Sequence, residues 1–499
     1  MTALISRRLA NLGIAAPDDG AASCVVSGVS VDSRSIVVGD LFVARDGVSH
    51  KGIDFIEKAA KQGAVAAIVD YASVSTVDLD SFSIPVFAID NLSVRAGEIV
   101  SNFYGHPSKK LTVIGITGTN GKTSCAHYLA QALSELGQKT AVIGTVGNGF
   151  VGQLSVATHT TPDVVSVHQL LADFVAQGAD AVVMEVSSHA LDQGRVSGVE
   201  FAVAAFTNLS RDHLDYHGTM ASYGEAKARL FTEYSVQQRV INLDDAYGAE
   251  LFHRLVDQGV ACCGFSATVN SDADIYPLSS ELSTRGIHLS IEISSASSRI
   301  EFSAPVVGSF NLSNLLLTVA VLCRLDWKGE AIATVMSCVT AVPGRMEFFS
   351  VSNGAVVVVD YAHTPDALEK ALKACRQHCS GQLWAVFGCG GDRDVGKRPE
   401  MAKIAELYAD RLVITSDNPR TEAPASIIDM IAQGLSTPKQ ATIIEDRKSA
   451  IEYAFHQADS KDWVLVAGKG HEDYQDVMGV KLPFSDRELA KQLAGELHP

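Results

Sequence analysis

The chain has 499 residues, a length that asks for about three domains rather than one core. With 47% hydrophobic and 19% charged residues, 40 Gly and only 14 Pro, it has the balance of a core-forming globular chain, which excludes intrinsic disorder. Its 40 Lys and Arg stand against 57 Asp and Glu, a net charge of −17, which leaves no global basic field for nucleic acid or an anionic membrane and makes small molecules the expected partners. No uncharged apolar run approaches the roughly 18 residues of a membrane span and no signal-peptide core follows Arg7 and Arg8, so a cytoplasmic chain is expected. Nine cysteines, odd in number and without CxxC spacing, indicate buried thiols rather than a disulfide framework or a zinc site.

In chain order, DLFVA (40–44), FIEKAAKQGA (55–64), VAAIVD (65–70) and PVFAID (85–90) alternate apolar runs with a polar helix, the pattern of a small α/β domain over residues 1–108. YGHPSKKL (104–111) gathers Gly, Pro and Lys and is read as a linker. A strongly βα central domain, 109–342, follows. LTVIGIT is a strand buried on both faces, and the helix after it ends at Gly137. Further buried strands are expected at 141–146, 180–188, 201–208 and 239–244, with a helix at 164–176, together a doubly wound parallel sheet. Period-two alternation in 286–310 around a Ser-rich turn predicts a flanking β-hairpin. Pro343–Gly344 breaks the pattern, and 343–499 starts a second open sheet with strands at 356–361, 383–388, 411–416, 441–446 and 463–468 and helices at 365–379, 397–409, 425–435 and 448–458.

Chemistry concentrates at the ends of these strands. GITGTNGKTS (115–124) lies between a buried strand and a helix, where Gly118 and Gly121 let backbone amides curl round phosphate, Lys122 reaches the terminal phosphates and Thr123 can hold Mg²⁺. The usual P-loop has Gly five positions before its GK; here that position is Ile116. Glu185, a lone carboxylate ending an apolar strand in EVSSH, can take Mg²⁺ directly or through water. TNLSRDHLDYHG (207–218) puts His213 and its neighbouring carboxylates on a loop, although a lone His is more often structural than a ligand.

These segments, with THTTPD (158–163), YGEAKARLF (223–231), GSFNLSNLL (308–316), PGRME, DYAHTPDAL (360–368), GCGGDRDVGKRPEM (388–401), DNPRTE (417–422) and GKGHEDYQ (468–475), make the chain resemble the Mur ligases over essentially its whole length. The resemblance is closest to the branch that adds the third residue of the peptidoglycan stem peptide, in its meso-diaminopimelate form. It implies an α/β chain of three domains: a UDP-sugar-binding first domain, a P-loop ATPase domain and a dinucleotide-fold third domain. It also implies an ATP-dependent ligase acting on UDP-MurNAc-L-Ala-D-Glu and meso-diaminopimelate through an acyl phosphate. A monomer using two Mg²⁺ is expected.

Residue by residue, the resemblance implies ATP contacts from Gly118, Thr119, Asn120, Gly121, Lys122, Thr123 and Ser124, with Asn311 near the base, Arg345 on the phosphates and Asp360 on the ribose. Thr123 and Glu185 would hold a first Mg²⁺, and His213 would help with a second. Lys227 would be carbamylated to N6-carboxylysine, turning a cation into an anion able to hold metal; from pattern alone it reads as a solvated helical lysine. UDP-sugar contacts would come from Val31, Ser33, Val48, Ser49, His50, Thr160, Thr161, Ser187, Gln193 and Arg195. The amino-acid pocket would use Arg393, Asp417, Asn418, Pro419, Arg420, Gly468 and Glu472. A distal centre with both ammonium and carboxylate calls for an Arg fork plus acidic partners. A folylpolyglutamate synthase, a P-loop switch and a dehydrogenase are the rival readings; DNPR and the separate first domain speak against the first, and the absence of GxGxxG opening a helix in 343–499 against the last.

Overall fold

The computed structural model describes residues 5–14, 24–47, 50–74, 77–270, 272–283, 286–294, 298–351, 354–437 and 440–495. It divides into two compact units, residues 1–265 with 320–326 and residues 266–319 with 327–499. The α/β class expected from the sequence is the class observed.

Besides a two-stranded antiparallel ribbon, Arg7–Arg8 with Val25–Val26, the first unit holds two larger sheets. The smaller is parallel, with Gly28–Ser30, Asp40–Ala44, Ala66–Asp70 and Val86–Ile89 side by side in chain order. Its inner strands, DLFVA and AAIVD, are continuous apolar runs because both faces are covered. The helix Leu92–Tyr104 places Leu92, Ala96, Ile99, Val100 and Phe103 on one face and ends at Gly105, whose φ of 71° is the left-handed conformation a helix stop requires. Gly97 lets this helix touch Ser197 of the larger sheet's connections, since a Cβ there would collide with the Ser197 carbonyl. Residues 104–111 form a packed connection: Pro107–Lys110 is a 3-10 turn with Pro107 and Ser108 buried, and Ser108 Oγ accepts from Glu200 N at 3.2 Å.

The larger sheet runs Gln153–Ser155, Asn148–Phe150, Thr140–Ile143, Ala181–Glu185, Thr112–Thr117, Phe201–Phe206, Val236–Asn242 and Cys263–Phe265. From Thr140 onward it is parallel, as expected; the first two strands are an antiparallel hairpin that the parallel reading lacked. Its tight turn is made by Val151–Gly152, with Gly152 at φ 85°. Thr112–Thr117 is central, with Ala181–Glu185 on one side and Phe201–Phe206 on the other, so the ends of these three strands share one ligand-binding edge.

In the second unit, Ile275–Ser283, Gly286–Ile293 and Ser298–Ala304 form an antiparallel meander, the expected hairpin plus one strand more. The six-stranded sheet is ordered Glu347–Ser350, Val356–Asp360, Trp463–Ala467, Leu383–Phe387, Arg411–Ile414 and Ala441–Ile443, with only the first pair antiparallel. Alternate side chains feed opposite cores: Val356 and Val358 pack with helices Pro365–His378, Lys397–Tyr408 and Pro424–Ala432, while Val357 and Val359 pack with Arg447–Gln457 and Asp486–Ala494.

A buried ion pair ties those last two helices to the strand ends. Arg447 and Asp486 are 1% and 0% exposed and meet two-pronged at 2.8 and 2.7 Å, while the guanidinium also donates to the carbonyls of Ser416 and Ala467. Removing one partner strands the other charge in the core. Asp486→Asn or Arg447→Met is therefore expected to lower unfolding stability by about 3–5 kcal/mol. Urea unfolding followed by tryptophan fluorescence checks it, because Trp327, Trp384 and Trp463 all belong to this unit; an unchanged midpoint would contradict it.

Candidate active site

The phosphate loop is shaped by two glycines. Gly118, at φ 143°, leaves no room for a Cβ against Thr207 Oγ1, and Gly121, at φ 86°, sits at the start of helix Lys122–Glu135. The loop is held from the neighbouring strand end: Asn208 accepts from Asn120 N through Oδ1 at 3.0 Å and from Thr119 N through its carbonyl at 2.8 Å, and Thr207 Oγ1 donates to the Asn120 carbonyl at 2.6 Å. Ser124, in the first helical turn, hydrogen-bonds Tyr128.

Three charged side chains converge beneath it. Lys122 Nζ turns back to the carbonyls of Gly118 and Thr119 at 2.9 and 2.8 Å. Lys227, 1% exposed on helix Met220–Thr232, donates to the same Gly118 carbonyl at 2.8 Å and lies 4.3 Å above the Tyr223 ring. Burial lowers the pKa of both ammoniums; Lys227 falls well below the usual lysine value because the Lys122 charge adds to the effect, against a smaller pull from Asp212. Glu185, 1% exposed at the end of its strand, accepts from Thr123 Oγ1 at 2.9 Å, Thr145 N at 2.8 Å and Thr145 Oγ1 at 3.2 Å. His213 is exposed at φ 51°, its Nε2 3.4 Å from Asp212 and its ring 4.8 Å from that of His189.

The same edge continues into the residues expected to meet the sugar. Thr161 Oγ1 donates to the Glu185 carbonyl at 2.8 Å and accepts from Ser187 N, Arg195 donates to the Thr161 carbonyl and twice to Gln193 Oε1, and Thr160 meets Thr145 at 3.0 Å. Thr160, Thr161, Ser187, Gln193 and Arg195 are thus one connected set. Val31 and Ser33 follow the first strand of the small sheet, Val31 lining a groove of about 860 Å³, and His50 is exposed with its ring edge-on to Phe55. Val48 and Ser49 lie outside the described residues.

In the second unit, Arg345 rests on the Tyr361 ring at 4.7 Å with its buried Nε lacking a hydrogen-bond partner among the described residues. The neighbouring Asp360 accepts from Met346 N and Ala362 N at 2.8 Å each, and burial raises its pKa. Asn311 is buried, its amide spent on the Val307 carbonyl and its oxygen on Asn314.

The expected amino-acid pocket gathers at the sheet's carboxyl edge. Gly468, at φ 126°, leaves space filled by the Asp417 carboxylate, and Gly391 leaves space for the Pro419 carbonyl. Asn418 donates to Glu472 at 2.8 Å and accepts from Lys469 Nζ at 2.9 Å. Arg420, at φ 50°, is partly rather than fully buried; its backbone pairs with Asp476 and Met478 and its Nη1 donates to the Gly391 carbonyl at 2.7 Å. Arg393 is exposed on the adjoining turn. Lys469, 0% exposed with a pKa lowered by burial, organises Asn418 and Glu472 and escaped sequence reasoning, although its place between two glycines of GKGHE was a signal.

A glycine-shaped phosphate loop on a parallel sheet, backed by a buried carboxylate and a buried low-pKa lysine, defines a P-loop α/β enzyme. Three family models match the chain: the Mur ligase family catalytic domain over residues 25–104, the Mur ligase middle domain over 116–322 and the Mur ligase glutamate ligase domain over 344–470. A UDP-N-acetylmuramoyl-L-alanyl-D-glutamate–2,6-diaminopimelate ligase of Vibrio vulnificus is 46% identical over 477 residues, 95% of either chain, and its namesake in Chromobacterium violaceum is 47% identical over 466, 93% of either. A solved structure bearing that ligase name superposes with a TM-score of 0.76 at 34% identity, covering 99% of this chain and 100% of its own. The chain belongs to the Mur ligase family.

Gly144 offers a test of the Glu185 position that touches no charge. A methyl group there would collide with Glu185 Oε1 and push the carboxylate off Thr123 and Thr145. Gly144→Ala is expected to cost about 10–100-fold in kcat/KM for ATP, the usual price of displacing a supporting group. Phosphate-release kinetics on protein of unchanged circular dichroism checks this; wild-type kinetics would show the carboxylate position to be irrelevant.

Proposed function

We propose that the chain joins meso-diaminopimelate to UDP-MurNAc-L-Ala-D-Glu in an ATP-dependent reaction of cytoplasmic peptidoglycan precursor synthesis, acting as a monomer. Identity of 44–47% to ligases of that name over most of the chain supports the substrates. The observation that carries the chemistry is the convergence of Lys122, Lys227, Thr123 and Glu185 around one loop.

The loop amides between Gly118 and Ser124 would cradle the β- and γ-phosphates at the helix N-terminus, and Lys122, turning from two carbonyls to phosphate oxygen, would neutralise charge as the γ-phosphoryl passes to the D-glutamate γ-carboxylate. The amine at the L-centre of diaminopimelate then attacks the acyl phosphate, and collapse of the tetrahedral adduct yields amide and phosphate. Lys122 and the oriented amides serve both steps, so the protein's contribution is positioning and preorganised charge. In the second unit, Arg345, resting on Tyr361 with a buried Nε unpartnered among the described residues, is suited to phosphate, Asp360 to ribose hydroxyls and Asn311 to shaping the base site through its helix turn.

The donor set fits Mg²⁺. Glu185 is a buried carboxylate bonded, among the described residues, by neutral donors, and Thr123 adds a hydroxyl, the hard oxygens that cation takes. His213 and Lys227 would serve a second ion, Lys227 only after its neutral amine has added CO₂ and lost a proton to become a carbamate. Bound Mg²⁺ supplies charge neutralisation at the phosphates. The depressed pKa of Lys227 supports that chemistry, since it keeps more of the amine neutral than an exposed lysine would have. Lys227→Ala is expected to lose at least about 10²-fold in turnover, with part restored by acetate or formate, which replace the missing anion. Full activity without added acid would count against the carbamate.

Selectivity for diaminopimelate is assigned to Arg420. Its guanidinium spends Nη1 on the Gly391 carbonyl, leaving other donors for a distal carboxylate, while Asp417 and Glu472 face the accompanying ammonium. L-lysine lacks that carboxylate. The expected preference is roughly 30- to several-thousand-fold in kcat/KM, by analogy with buried charge pairs. Phosphate release from ATP and UDP-MurNAc-L-Ala-D-Glu, assayed with diaminopimelate, with lysine and with neither, tests the whole reading; Arg420→Ala should damage diaminopimelate use and barely change lysine use. Equal loss of both, or a wild-type preference for lysine, would overturn the assignment.

A further inference from the structure

Arg45 stands outside every motif that marked the site. It follows directly on the buried strand Asp40–Ala44, at the carboxyl edge of the small sheet, and its backbone N donates to the Val43 carbonyl at 3.0 Å. Its backbone is clamped: a Cβ on Gly52 would collide with Ala44 and with Arg45 N, and Gly52 N is itself held by Asp46 at 2.8 Å. The side chain leaves this fixed point and its Nη2 donates to the Gln193 carbonyl, 148 positions along the chain.

Arg195 arrives at the same residue from the other side, giving Nε and Nη2 to Gln193 Oε1 at 2.9 and 2.7 Å. Gln193 is therefore gripped by two guanidiniums, one on its backbone and one on its amide. Both arginines are partly buried, and neither has a carboxylate within ion-pair distance among the described residues. The nearby acid is Asp163, but its carboxylate already accepts from Val165 N, Ser166 N and Ser166 Oγ as the cap of helix Val164–Ala176. Burial and the mutual repulsion of the pair lower the pKa of Arg45, and burial that of Arg195. Two poorly hydrated cations that share only the more distant charge of Asp163 are stabilised further by an anion that comes with the ligand.

We propose that Arg45 is a second substrate-positioning cation of the UDP-sugar site, pairing with Arg195 to hold an anionic group of UDP-MurNAc-L-Ala-D-Glu, either its diphosphate or its glutamyl carboxylate. The proposal rests on the ligase reading above and adds a contact from the small sheet that the motifs did not mark. Gln193 is the spacer that keeps the like charges apart until the anion arrives.

Binding of UDP-MurNAc-L-Ala-D-Glu and of UDP alone is measured by calorimetry for wild type, Arg45→Ala and Arg45→Lys, with ligation kinetics and melting points beside it. Arg45→Ala should weaken the full substrate about 10- to 100-fold, the range for a hydrogen bond to a charged group, and raise its KM alike. The KM values for ATP and diaminopimelate, kcat at saturation and the melting point should stay at wild type. Arg45→Lys should recover part of the loss. If UDP weakens in parallel, the diphosphate is the group held; if UDP is unaffected, the glutamyl carboxylate is. Equal affinity of wild type and Arg45→Ala for the full substrate overturns the proposal while wild-type ligation leaves the ligase reading standing, and so does a loss that tracks a lowered melting point and is not recovered by lysine. Wild type that neither binds nor ligates the UDP-sugar overturns both.

Discussion

One carbonyl oxygen, that of Gly118, accepts from two ammoniums, one on a buried and one on a partly buried lysine, and the active-site edge is organised around that coincidence. Lys122 reaches it at 2.9 Å from the start of its own helix and Lys227 at 2.8 Å from a helix more than a hundred residues later. Two like charges beside one acceptor in a low-dielectric site repel, and burial charges each of them a desolvation penalty. The arrangement persists because backbone carbonyls solvate both ammoniums, Glu185 draws on Lys122 and Tyr223 lies under Lys227. Its chemical consequence is a lysine inclined to give up its proton and a second free to turn toward phosphate.

Glycine is the device by which both units bring loops close enough for such contacts. Gly118 admits Thr207 against the phosphate loop, Gly144 admits the Glu185 carboxylate, Gly391 admits the Pro419 carbonyl and Gly468 admits Asp417. Each sits just beyond the end of a strand, so the sheet fixes the loop origin and the missing Cβ fixes the distance of approach. A strand slipped by one residue would replace these glycines with side chains at the closest points of the site.

Much of this was legible. Strands such as DLFVA, AVVME and VVVVD are uninterrupted apolar runs because helices cover both faces, and helix Val164–Ala176 was expected at the same residues from its helical pattern. The Asn148–Phe150 hairpin was not, because NGF and QLS are short, half-exposed edge strands with no apolar run to betray them. Ile275–Ser283 buries side chains only at its start, which hides its period. Lys227 reads in sequence as a solvated helical lysine; only the packing of its helix against the phosphate loop makes it a buried amine, and only resemblance pointed to it. Arg45 carried no motif of its own, and Lys469 only its place between two glycines, since their contacts are with partners 148 and 51 residues away.

The two units treat charge in opposite ways, and the chemistry of their expected ligands explains it. In the amino-acid pocket and its surroundings every buried cation has an anion at hand: Lys469 has Glu472, Arg398 has Glu422 and Arg447 has Asp486. A zwitterion brings no net charge, so a pocket for it is stable when already neutral, and Arg420 needs only to exchange a carbonyl for a carboxylate. In the first unit Lys122, Lys227, Arg45 and Arg195 rest on carbonyl and amide oxygens instead, with no carboxylate in ion-pair range among the described residues. Carbonyls solvate a cation without cancelling it, so these sites keep a positive potential inside a protein of net charge −17. Arg345 follows the same rule from within the second unit: its Nε is unpartnered among the described residues, its face rests on Tyr361, and it is the residue there expected to meet phosphate.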